Sequence, residues 1–179
     1  MGSMIETHKR QICQYIYAKD GNRPHLLKEA FTDSASLEMV LKTENIAFPS
    51  NTLGLNEISE VLVRKFGQTY ENVYTFCVSD SLTSDKNALS CDWLVCMTEK
   101  DGGAVRVGSG SYDWVFNDEP VPLADHLTIT IEQMVILAPD YASQILDWVG
   151  ALPYPWCDVA SLFQSMPPLA PLSPIRDRM

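Results

Sequence analysis

An α+β fold is what this 179-residue chain predicts, and three observations carry the expectation. The N-terminal third places apolar residues at helical spacing and is punctuated by Asp20-Gly21-Asn22 and by Gly54. From Asn72 onward the pattern changes to strands over residues 73–78, 91–99, 104–116 and 127–137, separated by turns such as Asp101-Gly102-Gly103. A further helical stretch, residues 141–149, follows Pro139-Asp140 and carries the stripe Ile145, Trp148 and Val149. Helices first and a mostly antiparallel sheet afterwards leave the helices on one side of the sheet, which is the α+β arrangement.

Each element has its own local reason. Over residues 6–19, Ile12, Cys13 and Ile16 recur at helical intervals, and Gly21-Asn22 suits the chain reversal that ends the first helix. Asn22 can cap a second, short helix that accepts Pro24 in its first turn and turns Leu26, Leu27, Ala30 and Phe31 inward. Residues 34–42 alternate, with Ala35, Leu37, Met39 and Leu41 on one face and Ser36, Glu38 and Lys42 on the other, the mark of a half-buried strand. A short strand at 46–48 meets the turn Pro49-Ser50-Asn51. Residues 54–70 form the third helix, with Glu57 and Glu60 near its start and Arg64 and Lys65 near its end complementing the helix dipole.

One domain over residues 4–149 fits this length. Residues 150–179 form a Pro-rich extension in which Leu152, Tyr154, Trp156 and Phe163 are too apolar for a free linker. Residues 150 to about 166 should therefore pack on the domain and the last dozen stay loose. Met1-Gly2-Ser3 reads as an expression remnant before the natural start, Met4.

Composition narrows the function classes. Thirteen Lys and Arg against twenty-three Asp and Glu give a net charge of −10, which repels polyphosphate and argues against nucleic acid or an anionic membrane as partner. No stretch approaches the roughly 20 apolar residues of a membrane-spanning helix. The five cysteines, Cys13, Cys77, Cys91, Cys96 and Cys157, form no CxxC pair, and Cys91 and Cys96 fall on opposite strand faces; they read as reduced thiols of a cytoplasmic protein. His8, His25 and His126 make no metal-ligand spacing, so no metal is expected. Gly108-Ser109-Gly110 lacks the third glycine of a dinucleotide fingerprint and lies within a strand, where glycines permit bending; no cofactor is expected.

The order of helix, Tyr15-Ile16-Tyr17-Ala18-Lys19-Asp20, short helix with Glu29-Ala30-Phe31, strand Asp33-Ser34-Ala35-Ser36-Leu37, Gly54 helix and long strands resembles the nuclear transport factor 2-like superfamily, in particular its SnoaL-like branch. The resemblance covers about residues 4–138. It implies a cystatin-like fold, a curved antiparallel sheet wrapped around the N-terminal helices as a cone whose open end holds a ligand. Beside the superfamily's ketosteroid isomerases, Tyr15 falls at the oxyanion tyrosine and Asp113 at the protonated aspartate that donates to the oxyanion. Met39 stands where the general base would be, unless the register slips by one to Glu38.

These expectations define a site. The neighbours of Asp113 along one strand face, Val105, Val107, Ser109, Ser111 and Val115, are small or apolar, so Asp113 is expected to be buried and its carboxyl raised by desolvation. Of Tyr15 and Tyr17 only one can face the cone, since they lie about 200° apart on a helix. Met39, Trp93, Ser109, Ser111 and His25 are the expected ligand-binding residues, with Glu38, His25 and Asp92 as weak candidates for a base. Tyr112, Trp114 and Phe116 share the face opposite Asp113 and are expected on the outer sheet, where superfamily members often form homodimers. The implied function is binding of an apolar cyclic or polyketide-like molecule, extended either to cofactor-free isomerase, cyclase or dehydratase chemistry or to a non-catalytic dimerisation or scaffold role.

Overall fold

The computed structural model describes residues 4–179, so the reading of residues 1–3 lies outside the described residues. Helix α1, Met4–Asp20, is longer than its sequence pattern and buries Ile12, Tyr15, Ile16 and Lys19 along one side. The segment after it is a 3-10 helix, Pro24–Glu29, preceded by Arg23 without a side-chain cap. Asn22, the expected cap, instead makes the reversal itself with φ 52°, a conformation asparagine tolerates better than most residues. Phe31 opens strand β1, Phe31–Leu41, instead of closing the helix.

The expected strand at 46–48 is a loop, and the pairing strand is β2, Asn51–Leu53. Pro49 cannot donate a ladder hydrogen bond, and the ladder forms only beyond it, with Ser50 O accepting from Met39 N at 2.9 Å. Gly54, at φ 90°, makes the turn into the next helix in a conformation open to glycine. That helix is α2, Leu55–Ser59, a π-helical turn, Glu60–Arg64, and α3, Lys65–Thr69. Ser59 Oγ donates to Leu55 O at 2.9 Å, a back-bond that bends helices.

The strands continue as β3, Tyr70–Val78, β4, Thr83–Asp85, β5, Ala88–Glu99, β6, Val105–Phe116, and β7, Ala124–Leu137. A two-residue strand β8, Trp156–Cys157, completes an eight-stranded sheet of order β2-β1-β7-β6-β5-β3-β8, with β4 paired to β5. The sheet is mixed: β1 runs parallel to β7 and β8 parallel to β3. Neither pair is joined by a hairpin, so nothing forces the antiparallel direction there.

The concave face wraps α1 with a continuous core that includes Trp93, Tyr112, Trp114 and Phe116. The convex face carries a second core, in which Phe76, Leu94, Cys96, Val105 and Val107 meet α4, Ala142–Gly150, α5, Val159–Gln164, and α6, Ser173–Arg178. Trp148 Nε1 donates to Leu162 O at 2.8 Å, and Asp158 caps α5 by accepting from Ser161 N at 3.1 Å. The expectation of a loose last dozen is thus overturned: Leu172 and Ile175, three residues apart, are fully buried and anchor the terminal helix despite its prolines. Among the described residues, no helix is long and apolar enough to cross a membrane.

Candidate functional site in the cone

Tyr15 and Lys19 stand four residues apart on α1 and so share the side that faces the concave sheet. The Tyr15 ring meets Phe31, Tyr112 and Trp114 edge-on at centroid distances of 6.1, 5.8 and 5.4 Å, the approach that aromatic quadrupoles favour. The hydroxyls of Tyr15 and Tyr112 are near enough to influence one another. Burial pushes both hydroxyls far above the usual phenol range, so both are neutral at physiological pH. Tyr17, on the other side of the helix, is 40% exposed, which settles which tyrosine enters the cone.

A polar cluster closes one end. Lys19 Nζ, on a side chain only 7% exposed, donates to Thr75 Oγ1 at 2.7 Å and to Asp20 Oδ1 at 2.9 Å. Asp20 is held further by Thr75 N and by Tyr154 Oη, each donating to Oδ2 at 2.7 Å. Lys19 also lies 4.8 Å from the centre of the Phe66 ring, a cation–π contact. An ammonium has three donors, and here one is left without a hydrogen-bond partner among the described residues.

These groups enclose a cavity of about 40 Å³ whose walls include Tyr15, Lys19, Met39, Trp93, Tyr112 and Ile129. Trp93 Nε1 is buried with no hydrogen-bond partner among the described residues. Ile46 and Phe48, the residues expected in a strand, line this cavity and also an adjoining cleft of about 210 Å³. No carboxylate or imidazole belongs to the cavity wall.

The expected residues divide sharply. Tyr15, Met39 and Trp93 line the cavity. Asp113 does not: it is exposed on the convex side, where Ser90 Oγ donates to it at 2.6 Å. Ser109 and Ser111 alternate with it and also face outward, Ser109 beside Gln133 at 3.5 Å. His25 is exposed, Glu38 is exposed and accepts from Thr128 at 3.3 Å, and Asp92 pairs with Arg178 at 3.4 Å across the convex side. The alternation in β6 is as expected, but its two faces are exchanged, and Tyr112, Trp114 and Phe116 are inside. Room in the cone comes from glycines and not from serines: Trp93 lies against Gly110, where a Cβ would sit 2.7 Å from Cζ2 of the ring.

Sequence reasoning missed Lys19, Thr75 and Tyr112. Lys19 had a signal, since it continues the Tyr15 side of α1 by one turn. Thr75, 56 residues from Lys19, had none.

No family model and no curated protein matches the chain. Solved structures do. A nuclear transport factor 2-like superfamily protein from Salmonella enterica serovar Typhimurium shares 18% identity over 73% of this chain and 94% of its own, with a TM-score of 0.58. A protein of the SnoaL-like family from Agrobacterium tumefaciens shares 14% over 71% and 98%, with a TM-score of 0.51. A hexachlorocyclohexane dehydrochlorinase, LinA type 2, shares 12% over 73% and 86%, with a TM-score of 0.55. At these identities the likeness establishes a shared fold.

Proposed function

Because the chain has the nuclear transport factor 2-like fold, we propose that its cone binds an apolar small molecule with one hydrogen-bond-accepting end, a carbonyl or a carboxylate. The observation that carries this reading is the polarity of the wall: Lys19 Nζ and Trp93 Nε1 are donors with unused capacity, the remaining wall is mainly apolar, and no acidic side chain belongs to it. An acceptor placed there would relieve donors that are costly to leave unpaired. Tyr15 lies beside them and could donate to the same atom.

At about 40 Å³ the cavity holds little more than a water. A larger ligand needs Ile46 and Phe48 to swing aside, which would join the cavity to the adjoining cleft. Isomerase, cyclase or dehydratase chemistry would add a proton transfer to this binding. With Glu38, His25, Asp92 and Asp113 all outside and no carboxylate in the cavity wall, its base would have to be a bound water.

Thermal-shift and calorimetric titration with steroid ketones, terpenoids, polyketide fragments and aromatic carboxylates tests the proposal, each beside its deoxygenated analogue. Acceptor-bearing compounds should raise the melting temperature of the native chain. Lys19→Met should weaken binding about tenfold or more, the worth of a hydrogen bond to a charged group. Equal binding of the deoxygenated analogues, or no response at all, would sink the reading.

The small cavity itself favours a second reading, a filled cone serving as a non-catalytic scaffold. A homodimer through the convex side would use the strip that α4 to α6 leave open, where Ser36 and His126 lie in one row between Leu53 and Val115, which are 74% and 43% exposed. Light scattering at micromolar concentration would give a dimer mass on this reading and a monomer mass otherwise.

A further inference from the structure

Outside the cone, a surface cleft of about 370 Å³ lies between the end of α1, the start of β3 and the turn before β8. Three tyrosines form its walls. Tyr154 stands centrally, with Tyr17 at a centroid distance of 6.1 Å and an angle of 50°, and Tyr74 at 6.0 Å and 76°. Phe76 supports Tyr154 edge-on at 5.7 Å. Asp20 belongs to the same cleft, and the Tyr154 hydroxyl donates to its Oδ2. Lys19 engages the other oxygen, Oδ1. Burial first, and then the charge of Asp20, drive the Tyr154 hydroxyl upward, so the field of the carboxylate reaches this tyrosine.

We propose that Tyr17, Tyr74 and Tyr154, with Asp20 at their base, form an aromatic cage for a methylated ammonium group of the kind carried by choline or by trimethyllysine. Rings that border one cleft at steep mutual angles can turn negative faces toward a cation lying between them, and a methylated cation satisfies them without demanding hydrogen bonds. The weakly hydrated cation also loses little on leaving water. The chain's net charge of −10 adds a long-range attraction for cations. Arg23, the one cation lining the cleft, lies over none of the three rings among the described contacts and opposes a second positive charge. This inference does not depend on the ligand of the cone.

The test is calorimetric and NMR titration of the full chain with tetramethylammonium, choline, the neutral tert-butyl isostere of choline and a short peptide containing trimethyllysine. Saturable binding of the cations, with the isostere weaker by about 5- to 30-fold, is the expected result. Tyr17→Leu keeps apolar area at an exposed position but removes a ring face, and should lower affinity by a similar factor without changing the melting temperature. Arg23→Gln should tighten binding. A peptide that outbinds choline identifies a protein-borne ligand, and the reverse order a free small molecule; both sustain the cage. Failure of the cations to bind, or binding no better than that of the isostere, or indifference to Tyr17→Leu, overturns it.

Discussion

The two faces of the sheet are both buried, but by different means. On the concave side α1 and the helical segment after Gly54 lie in the curve, and large rings, Tyr15, Phe31, Trp93, Tyr112, Trp114 and Phe116, take much of the space around them. On the convex side mostly smaller groups, Val78, Leu94, Cys96, Val105 and Val107, meet α4 and the two helices of the C-terminal extension, α5 and α6. Rings are rigid and few, so they enclose gaps at their junctions, and the cavity lies among them. Aliphatic side chains interdigitate more finely. The contrast teaches that the polarity of a strand does not say which of its faces is inside once both are covered; side-chain size against the available curvature does.

Three substitutions sharpen this contrast. Gly110→Val should have the largest effect, because a Cβ there would sit 1.8 Å from the carbonyl oxygen of Thr130, a backbone atom that cannot swing away. The loss should exceed about 3 kcal/mol in urea unfolding, or the chain should fail to fold. A mild effect would mean that the concave strands approach less closely than described. Leu162→Ala opens the convex core at a fully buried position and should cost about 2–5 kcal/mol by the same measurement. If truncation of so deep a residue cost nothing, the extension would not be part of the folded unit.

Asp113→Asn should do least. The side chain is exposed and its one described partner is Ser90, so stability should stay within about 0.5 kcal/mol and ligand response in the cone should be unchanged. A strong loss of binding in this variant would restore the carboxylate to the site and reverse the faces of β6.

Much of the architecture was legible because its signals are local. The period of β6, the strand with Met39 inward, the helix after Gly54 and the reversal at Asn22 each follow from residues within one element. The site was partly legible: strand alternation turned Met39 inward and the family resemblance singled out Tyr15, while helical spacing alone left Tyr15 and Tyr17 as alternatives. What failed was what required knowing a distant partner. Small strand neighbours argue for an inward Asp113, but those residues, Val105 and Val107, are fitted to the C-terminal helices and not to a ligand. The terminal segment was read as loose because prolines suppress regular structure, although Leu172 and Ile175 only needed a surface to bury against. Lys19 lies one turn beyond Tyr15 on the same side of α1, and its partners Asp20 and Thr75 make it an interior cation.

Asp20 also has a consequence at the margin of the sheet. The outermost strands, β2 and β8, are three and two residues long, and much of β3 has no neighbour beyond it. A bare strand margin offers its amide groups as a template on which another chain can zip. Here the amide of Thr75 is taken by Asp20, and that of Cys77 by the carbonyl of Pro155 at 2.7 Å. Two of the N–H groups through which an incoming strand could register on β3 are thereby silenced, so lateral growth into fibrils or strand-swapped assemblies is disfavoured by the same carboxylate that steadies the ammonium in the cone.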